Sequence, residues 1–258
     1  MNIDFHTHVK ISKKSAFMPD YFKEMMQEAK ENGLTALAMT EHFNTSRFTD
    51  IYDYLEANYP YEHGYYDIHG LKLFPGMEVD IFETGHILLI GDRSDILQIR
   101  EALNEHTERV SFVHFDQLME ITAPYNLLKI GAHPFRESTP LYHLKPEQLS
   151  QLDALDLNGK DLHSQGIEPY QSKMKNFSEQ LNLPIVGGSD THQYFQYGCV
   201  YNEFKEECQD VNDLKNCIQG RRYNVTVSND LHLKVKAAIV VKNLLKKQLD
   251  NKEAATAQ

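Results

Sequence analysis

The sequence predicts an α/β barrel, a ring of parallel strands with helices outside, on three observations. Short apolar segments alternate with helical ones along most of the chain. Clusters of His, Asp and Glu fall at the ends of those apolar segments or beside them: Asp4-Phe5-His6-Thr7-His8, Thr40-Glu41-His42, Gly76-Met77-Glu78, Gly85-His86, Ala132-His133-Pro134 and Gly188-Ser189-Asp190-Thr191-His192. Strand ends are where such a barrel delivers its site residues. No linker, repeat or low-complexity block divides the 258 residues, a length that suits one large domain.

In chain order, residues 3–9 read as a strand and 20–32 as a helix, with Asp20 near its start and Gly33 just past its end. Residues 34–40 form an apolar strand ending at Glu41-His42, and 46–58 read as helical. The aromatic stretch 59–70 reads as an irregular loop or lid. Residues 71–82 and 86–91 read as a pair of strands, the second almost continuously apolar and so buried. Helices follow at 94–105 and 116–123, the latter stopped by Pro124. A strand at 128–132 runs into His133-Pro134. Then come a short helix at 146–151, a strand at 154–158, a helix at 169–181 and a strand at 184–188. This alternation argues for parallel strands joined by right-handed crossovers. The last expected helix spans 235–248, with 251–258 a polar tail that frays. The reading thus divides the chain into a main domain, 1–230, and a C-terminal helix with its tail, 231–258.

Composition narrows the function. The chain is 41% hydrophobic and 24% charged, ordinary for a soluble protein. Its three cysteines, Cys199, Cys208 and Cys217, match neither a disulfide framework nor a zinc ribbon, which points to a reducing compartment. No apolar run reaches the roughly 18 residues that would span a bilayer, and Met1-Asn2-Ile3-Asp4 enters a strand without a signal-peptide pattern. A cytoplasmic location without membrane attachment is expected. The net charge of −11 carries no basic nucleic-acid footprint, so a long duplex is not an expected partner. Acidity still allows a phosphate substrate, because bound divalent cations supply a local positive field.

Residues at i and i+2 of a strand share a face. His6 and His8 have that spacing and can bind one ion together; Asp190 and His192 repeat it late in the chain. Glu78 can bridge two ions through its two oxygens, and His42, His86 and His133 come from three other strand ends. Eight such residues at one mouth would hold two or three divalent ions. Imidazole and carboxylate suit Zn, Mn or Fe in hydrolytic chemistry. His63, His69, His106, His143, His163 and His232 are read as ordinary surface or core histidines, and His114 as a rival to His86.

The ordered set Asp-X-His-X-His, Thr-Glu-His, Gly-X-Glu, a His opening an apolar strand, His-Pro and Gly-Ser-Asp-X-His resembles the PHP (polymerase and histidinol phosphatase) superfamily, from Asp4 to about His192. The resemblance implies a distorted TIM-like barrel, (β/α)7, a trinuclear metal site and hydrolysis of phosphate esters. It places His6, His8, Glu78 and Asp190 around a first ion, Glu78 with His86 and His133 around a second, and His42 with His192 around a third. The chain departs from the pattern at Lys13 and Lys14, which stand where the family supplies another ligand. A protonated lysine repels a cation, so the third ion is in question and a lysine is free to contact phosphate instead.

The expected chemistry is phosphoesterase hydrolysis of a small phosphorylated metabolite or nucleotide by attack of a metal-bound hydroxide. Glu78, Asp190, His192 and Arg136 are the expected catalytic residues. Arg136, three past His133, is a candidate phosphate clamp. His192 or a lysine is the candidate proton donor to the leaving oxygen. Asp156 and Asn158 end a strand and are candidates to line the pocket; Tyr61, Tyr65 and Tyr66 are candidates to stack on a base. Two alternatives stand beside this: amidohydrolase-type cleavage of a C–N or C–O bond, and a metal-binding sensor with little turnover. The oligomeric state is not legible.

Overall fold

The computed structural model describes residues 1–256, with side chains described through residue 248. Eleven strands and nine helices follow the sequence: β1 (Asn2–Thr7), α1 (Pro19–Glu31), β2 (Ala36–Met39), α2 (Thr49–Asn58), β3 (Tyr61–Glu62), β4 (Tyr65–Ile68), β5 (Leu71–Asp80), β6 (His86–Ile90), α3 (Arg93–Ala102), α4 (Phe115–Thr122), β7 (Leu128–Ala132), α5 (Pro146–Leu149), β8 (Ala154–Asn158), α6 (Gly159–Gln165), α7 (Ile167–Leu181), β9 (Ile185–Gly188), β10 (Val200–Phe204), α8 (Val211–Gln219), β11 (Tyr223–Val227) and α9 (Leu231–Thr256).

The ladder runs β1-β2-β5-β6-β7-β8-β9, and β9 returns to β1 through a parallel bridge between Thr7 and Thr191. Asp190 N–H donates to the His6 carbonyl at 2.7 Å and His8 N–H to the Thr191 carbonyl at 2.9 Å, which closes the seven-strand ring. This is the distorted TIM-like barrel expected. Each of the seven strands sends at least one apolar side chain into the lumen, among them Ile3, Ala36, Phe74, Leu88, Leu128, Ala154 and Val186. The larger apolar cluster lies between the barrel and its helices. Apolar burial on both sides explains why the strands read as continuous apolar runs rather than alternating ones.

Two features produce the distortion. β6 runs antiparallel to both β5 and β7, against the all-parallel expectation. The link from Asp80 to His86 is a tight turn with Thr84 and Gly85 at positive φ, far too short for the crossover that parallel pairing needs. Below the Thr7–Thr191 bridge, β1 and β9 part, and β10 pairs antiparallel with β1 instead. Asn202 fills this seam: its Oδ1 accepts from Gly187 N–H at 2.7 Å, and its Nδ2 donates to the carbonyls of Ile3 and Gly187 at 2.9 and 2.8 Å. β9 approaches β1 closely enough that a Cβ on Gly188 would lie 2.5 Å from the His6 Cβ.

Residues 59–70, expected to be irregular, form the β3–β4 hairpin and its turn into β5. His63-Gly64 and His69-Gly70, all at positive φ, make the two two-residue turns. β10, α8, β11 and α6 were not anticipated. α9 starts before the expected residue 235, and its backbone stays helical through 251–256, where fraying was expected; the end of that tail, residues 257–258, lies outside the described residues. Among the described residues, no helix is long and apolar enough to cross a membrane.

Candidate metal centre

β1 carries the first two histidines to the mouth of the barrel. The β1–β2 register shifts between Asp4 and Thr7; His6 lies within that irregularity and His8 just past it, with their rings 5.3 Å apart. β5 ends close by and brings Glu78, whose carboxylate is 1% exposed and lies among five imidazoles. Its Oε1 is 2.6 Å from His86 Nδ1, 3.3 Å from His133 Nε2 and 3.4 Å from His6 Nε2. Its Oε2 is 2.8 Å from His42 Nδ1 and 3.5 Å from His8 Nε2. Asp190 lies 3.4 Å from His8 Nε2 and 3.9 Å from His6 Nε2, and the His192 ring stacks on His8 at 4.1 Å. All eight expected ligands therefore meet at one mouth. Two of them, His133 (φ +32°) and Asp190 (φ +55°), hold backbone conformations that side chains rarely adopt, a strain typical of functional sites.

The residues present fit bound cations. Three groups keep one donor atom from each member within 4.8 Å of the others: His6 with His8 and Asp190, Glu78 with His86 and His133, and His8 with His42 and His192. The ring nitrogens His6 Nε2 and His8 Nε2 are buried without a hydrogen-bond partner among the described residues, a costly state unless an ion takes them. Behind His6, Asp156 Oδ2 sits 2.9 Å from Nδ1, which orients the ring with Nε2 toward the centre. Behind His8, Glu41 Oε1 lies 3.6 Å from Nδ1.

The electrostatics keep both carboxylates ionised and three of the six imidazoles neutral, while His6 and His86 are raised by the carboxylates they face. Burial opposes ionisation of Glu78, yet His86, His42 and His6 hold its carboxyl well below the usual range. Asp190 is likewise held low against burial, by Lys160, Arg136 and His6. Burial alone would depress His86, but Glu78 and Asp80 lift it to about 9. Burial pushes His42 down to about 4 and keeps His133 and His192 well below the ordinary imidazole value. A neutral His192 suits ligation and is a poor proton donor.

Several residues sit differently from expectation. Lys13 does not reach the third ligand group; its Nζ pairs with Asp80 at 2.7 Å, and Lys14 is exposed. Lys160 is the lysine at the centre, donating to Asp190 Oδ1 at 2.8 Å. Arg136 also reaches Asp190, at 2.8 Å, but the rest of its fork is engaged by Asp161 and Asn158. Asp156 and Asn158 lie behind the ligands, where Asn158 Nδ2 donates to Asp156 Oδ2 at 2.9 Å. His114 is exposed against Glu83, outside the cluster. Tyr66 is buried, while the Tyr61 hydroxyl donates to Asp92, so these rings serve packing. Sequence reading missed Asp80 and Lys160. Asp80, two past Glu78 on β5, was legible from the same i, i+2 rule; Lys160 carried no local signal.

Two cavities flank the centre. One, of about 610 Å³, is bordered by Arg136, Lys160, Asp161, Val235 and Ile239. The other, of about 460 Å³, is bordered by Asp80, His86, Arg109 and Phe112, and Ser138 touches both.

Comparison with known proteins follows the same lines. PsfC from Pseudomonas syringae PB-5123 is similar in structure with a TM-score of 0.78 and 20% identity, over 95% of this chain and 98% of that one. The lesion-specific endonuclease PfuEndoQ from Pyrococcus furiosus is similar at a TM-score of 0.63 and 19% identity, over 87% of this chain and 57% of that one. An amidohydrolase from Chromobacterium violaceum reaches 0.50 and 14% identity, over 75% of this chain and 88% of that one. At these identities the likeness is one of fold. No curated protein sequence matches. A family model, the PHP domain, matches residues 4–219 and takes in all eight candidate ligands, and the chain accordingly belongs to the PHP domain family.

Proposed function

We propose that the protein is a metal-dependent phosphoesterase acting on a small phosphorylated substrate. PHP family members are metal-dependent hydrolases. The observation that carries the reading is Glu78: one buried carboxylate facing five imidazoles, with Asp190 beside them and two cationic side chains on Asp190. His6, His8, Glu78 and Asp190 would hold one ion, Glu78, His86 and His133 a second, and His8, His42 and His192 a third. Zn, Mn or Fe suits these donors. Bound ions would supply Lewis-acid stabilisation of phosphoryl oxygens and a water acidic enough to attack at neutral pH.

The protein's own groups do the rest. Asp156 fixes the His6 ring and so the geometry of the first group. Arg136 and Lys160 hold Asp190 and add positive charge where phosphoryl oxygens gather. Lys160 borders the larger cavity, and we assign it to protonate the leaving oxygen there. A phosphodiester is the second reading, favoured by the two cavities that meet at Ser138 and could take one ester arm each.

The test is product release with added Mn²⁺ or Zn²⁺ from a panel of sugar phosphates, nucleotides, bis(p-nitrophenyl) phosphate and simple amides. Glu78→Gln removes the shared negative charge and is expected to lower phosphate release by about 100-fold or more. Cleavage of amides alone, or metal uptake without turnover of any ester, would overturn the phosphoesterase assignment.

A further inference from the structure

Helix α9 lies beyond the residues that the family model matches, yet it forms part of the site's mouth. Its first turns are anchored. Leu231, Val235 and Ala238 are buried. Lys234 Nζ donates to the Tyr197 carbonyl at 2.8 Å, and His232 Nδ1 meets His163 Nδ1 of α6 at 2.9 Å. The helix packs on α6, which carries Lys160, and on the 3-10 turn that follows His192. Val235 and Ile239 thus become the apolar wall of the 610 Å³ cavity, opposite Arg136 and Lys160.

The next turns are cationic. Residues 231–248 hold five lysines and no Asp or Glu, whereas residues 1–230 hold 20 Lys and Arg against 35 Asp and Glu. Lys242 and Lys246 are one turn apart on the same helix. Lys242 lies on the α9 face that carries Val235 and Ile239, is half-buried, feels the charges of Lys160 and Asp190, and makes no ion pair among the described residues. Gathering ammonium groups on one helix face, in a chain otherwise rich in carboxylates, costs energy unless an anion sits between them. Asp190 already takes Lys160 and Arg136, so the α9 lysines have charge to spare beyond the reacting group.

We propose that α9 is a substrate-recognition element: Lys242 and Lys246 bind a second phosphate on the substrate, and Val235 and Ile239 pack against the organic arm that joins it to the reacting phosphate. This rests on the phosphoesterase reading and narrows it to organic bisphosphates. One phosphate lies at the metal centre and the other at the lip of the larger cavity. Lysine acts as a point charge there, which suits a phosphate approached from solvent.

Calorimetry and kinetics on the Mn²⁺-loaded full chain test this, with glucose 1-phosphate and glucose 1,6-bisphosphate as probes. The parent is expected to bind the bisphosphate about tenfold or more tighter. In Lys242→Met/Lys246→Met that preference is expected to collapse toward unity, in Kd and in the ratio of KM values alike. A measurement without variants supports it: raising NaCl from about 0.05 M to about 0.5 M should erase the parent's preference, since ion pairs at a solvent-facing lip are screened. Equal binding of the two probes by the parent, or a preference that survives both the substitutions and the salt, overturns the proposal. Tight, lysine-dependent bisphosphate binding without any phosphate release would sink the hydrolase reading and leave the recognition role of α9 intact.

Discussion

Asp4 shows how the centre constrains residues that are not among its candidate ligands. Its Oδ1 accepts N–H groups from His6 at 3.1 Å and Ser189 at 3.0 Å, tying β1 to the segment after β9. Burial lifts its carboxyl from 3.8 to about 7, against those hydrogen bonds. A folded-state value above the unfolded one means that the stability tied to the protonated form is fully present below about pH 4 and is lost as pH rises through about 7. Asp4→Asn keeps the acceptor oxygen and removes the titration. In metal-free protein the Tm gain of the variant over the parent should therefore grow from about pH 5 to about pH 7 and then level off. Thermal melts across that range decide it, and a gain that does not change with pH would show that Asp4 ionises freely. At this same scale the ligand histidines were legible, because chemistry of their type at strand ends is a local pattern. Lys160 was not: it reaches Asp190 from α6, whose docking depends on contacts distant in sequence.

Among the elements, the seam between β1 and β9 is the weak point of the ring, and Asn202 holds it. Replacing it with Leu would leave Gly187 N–H and the carbonyls of Ile3 and Gly187 without partners in a buried place. At about 1 kcal/mol or more for each orphaned group, Asn202→Leu should cost about 3 kcal/mol or more. Urea unfolding measures this directly, and a loss below about 1 kcal/mol would mean that β10 is not the closing wedge. The sequence showed most ring strands and outer helices because their apolar period is strong. It hid the β3–β4 hairpin because His-Gly pairs make its turns in place of the commoner Asn-Gly or Asp-Gly. β10 and β11 stayed hidden because they sit at the seam and the edge of the sheet, where a strand buries only part of itself. The antiparallel β6 could have been inferred from the short link before it, a length constraint that outranks the alternation of strands and helices.

For the molecule as a whole, a filled ligand cluster would be a structural clasp as well as a site. His6 and His8 stand on or just after the first strand of the ring, and Asp190 follows the last, so one ion in that group links both sides of the seam. An ion that binds only the folded state stabilises by mass action, about 4 kcal/mol at a thousandfold excess over Kd. Stripping the metal with a chelator should then lower the Tm by about 10 °C for a chain of this size. Differential scanning calorimetry before and after dialysis against chelator, then after adding Mn²⁺ back, checks the size and the reversibility. An unchanged Tm would mean that the ligand groups are empty in the folded protein.

The closure of the ring also sets an order of events during synthesis. His6 and His8 leave the ribosome first, but their partner Asp190 follows some 180 residues later. Until then the early histidines face a groove with one wall missing. The first ligand group is complete only once Asp190 has emerged, so that group can take an ion only after all seven ring strands have been made. The helix that walls the larger cavity emerges later still, and a nascent chain thus passes through a stage in which the ligand groups are complete and the cavity still lacks that wall.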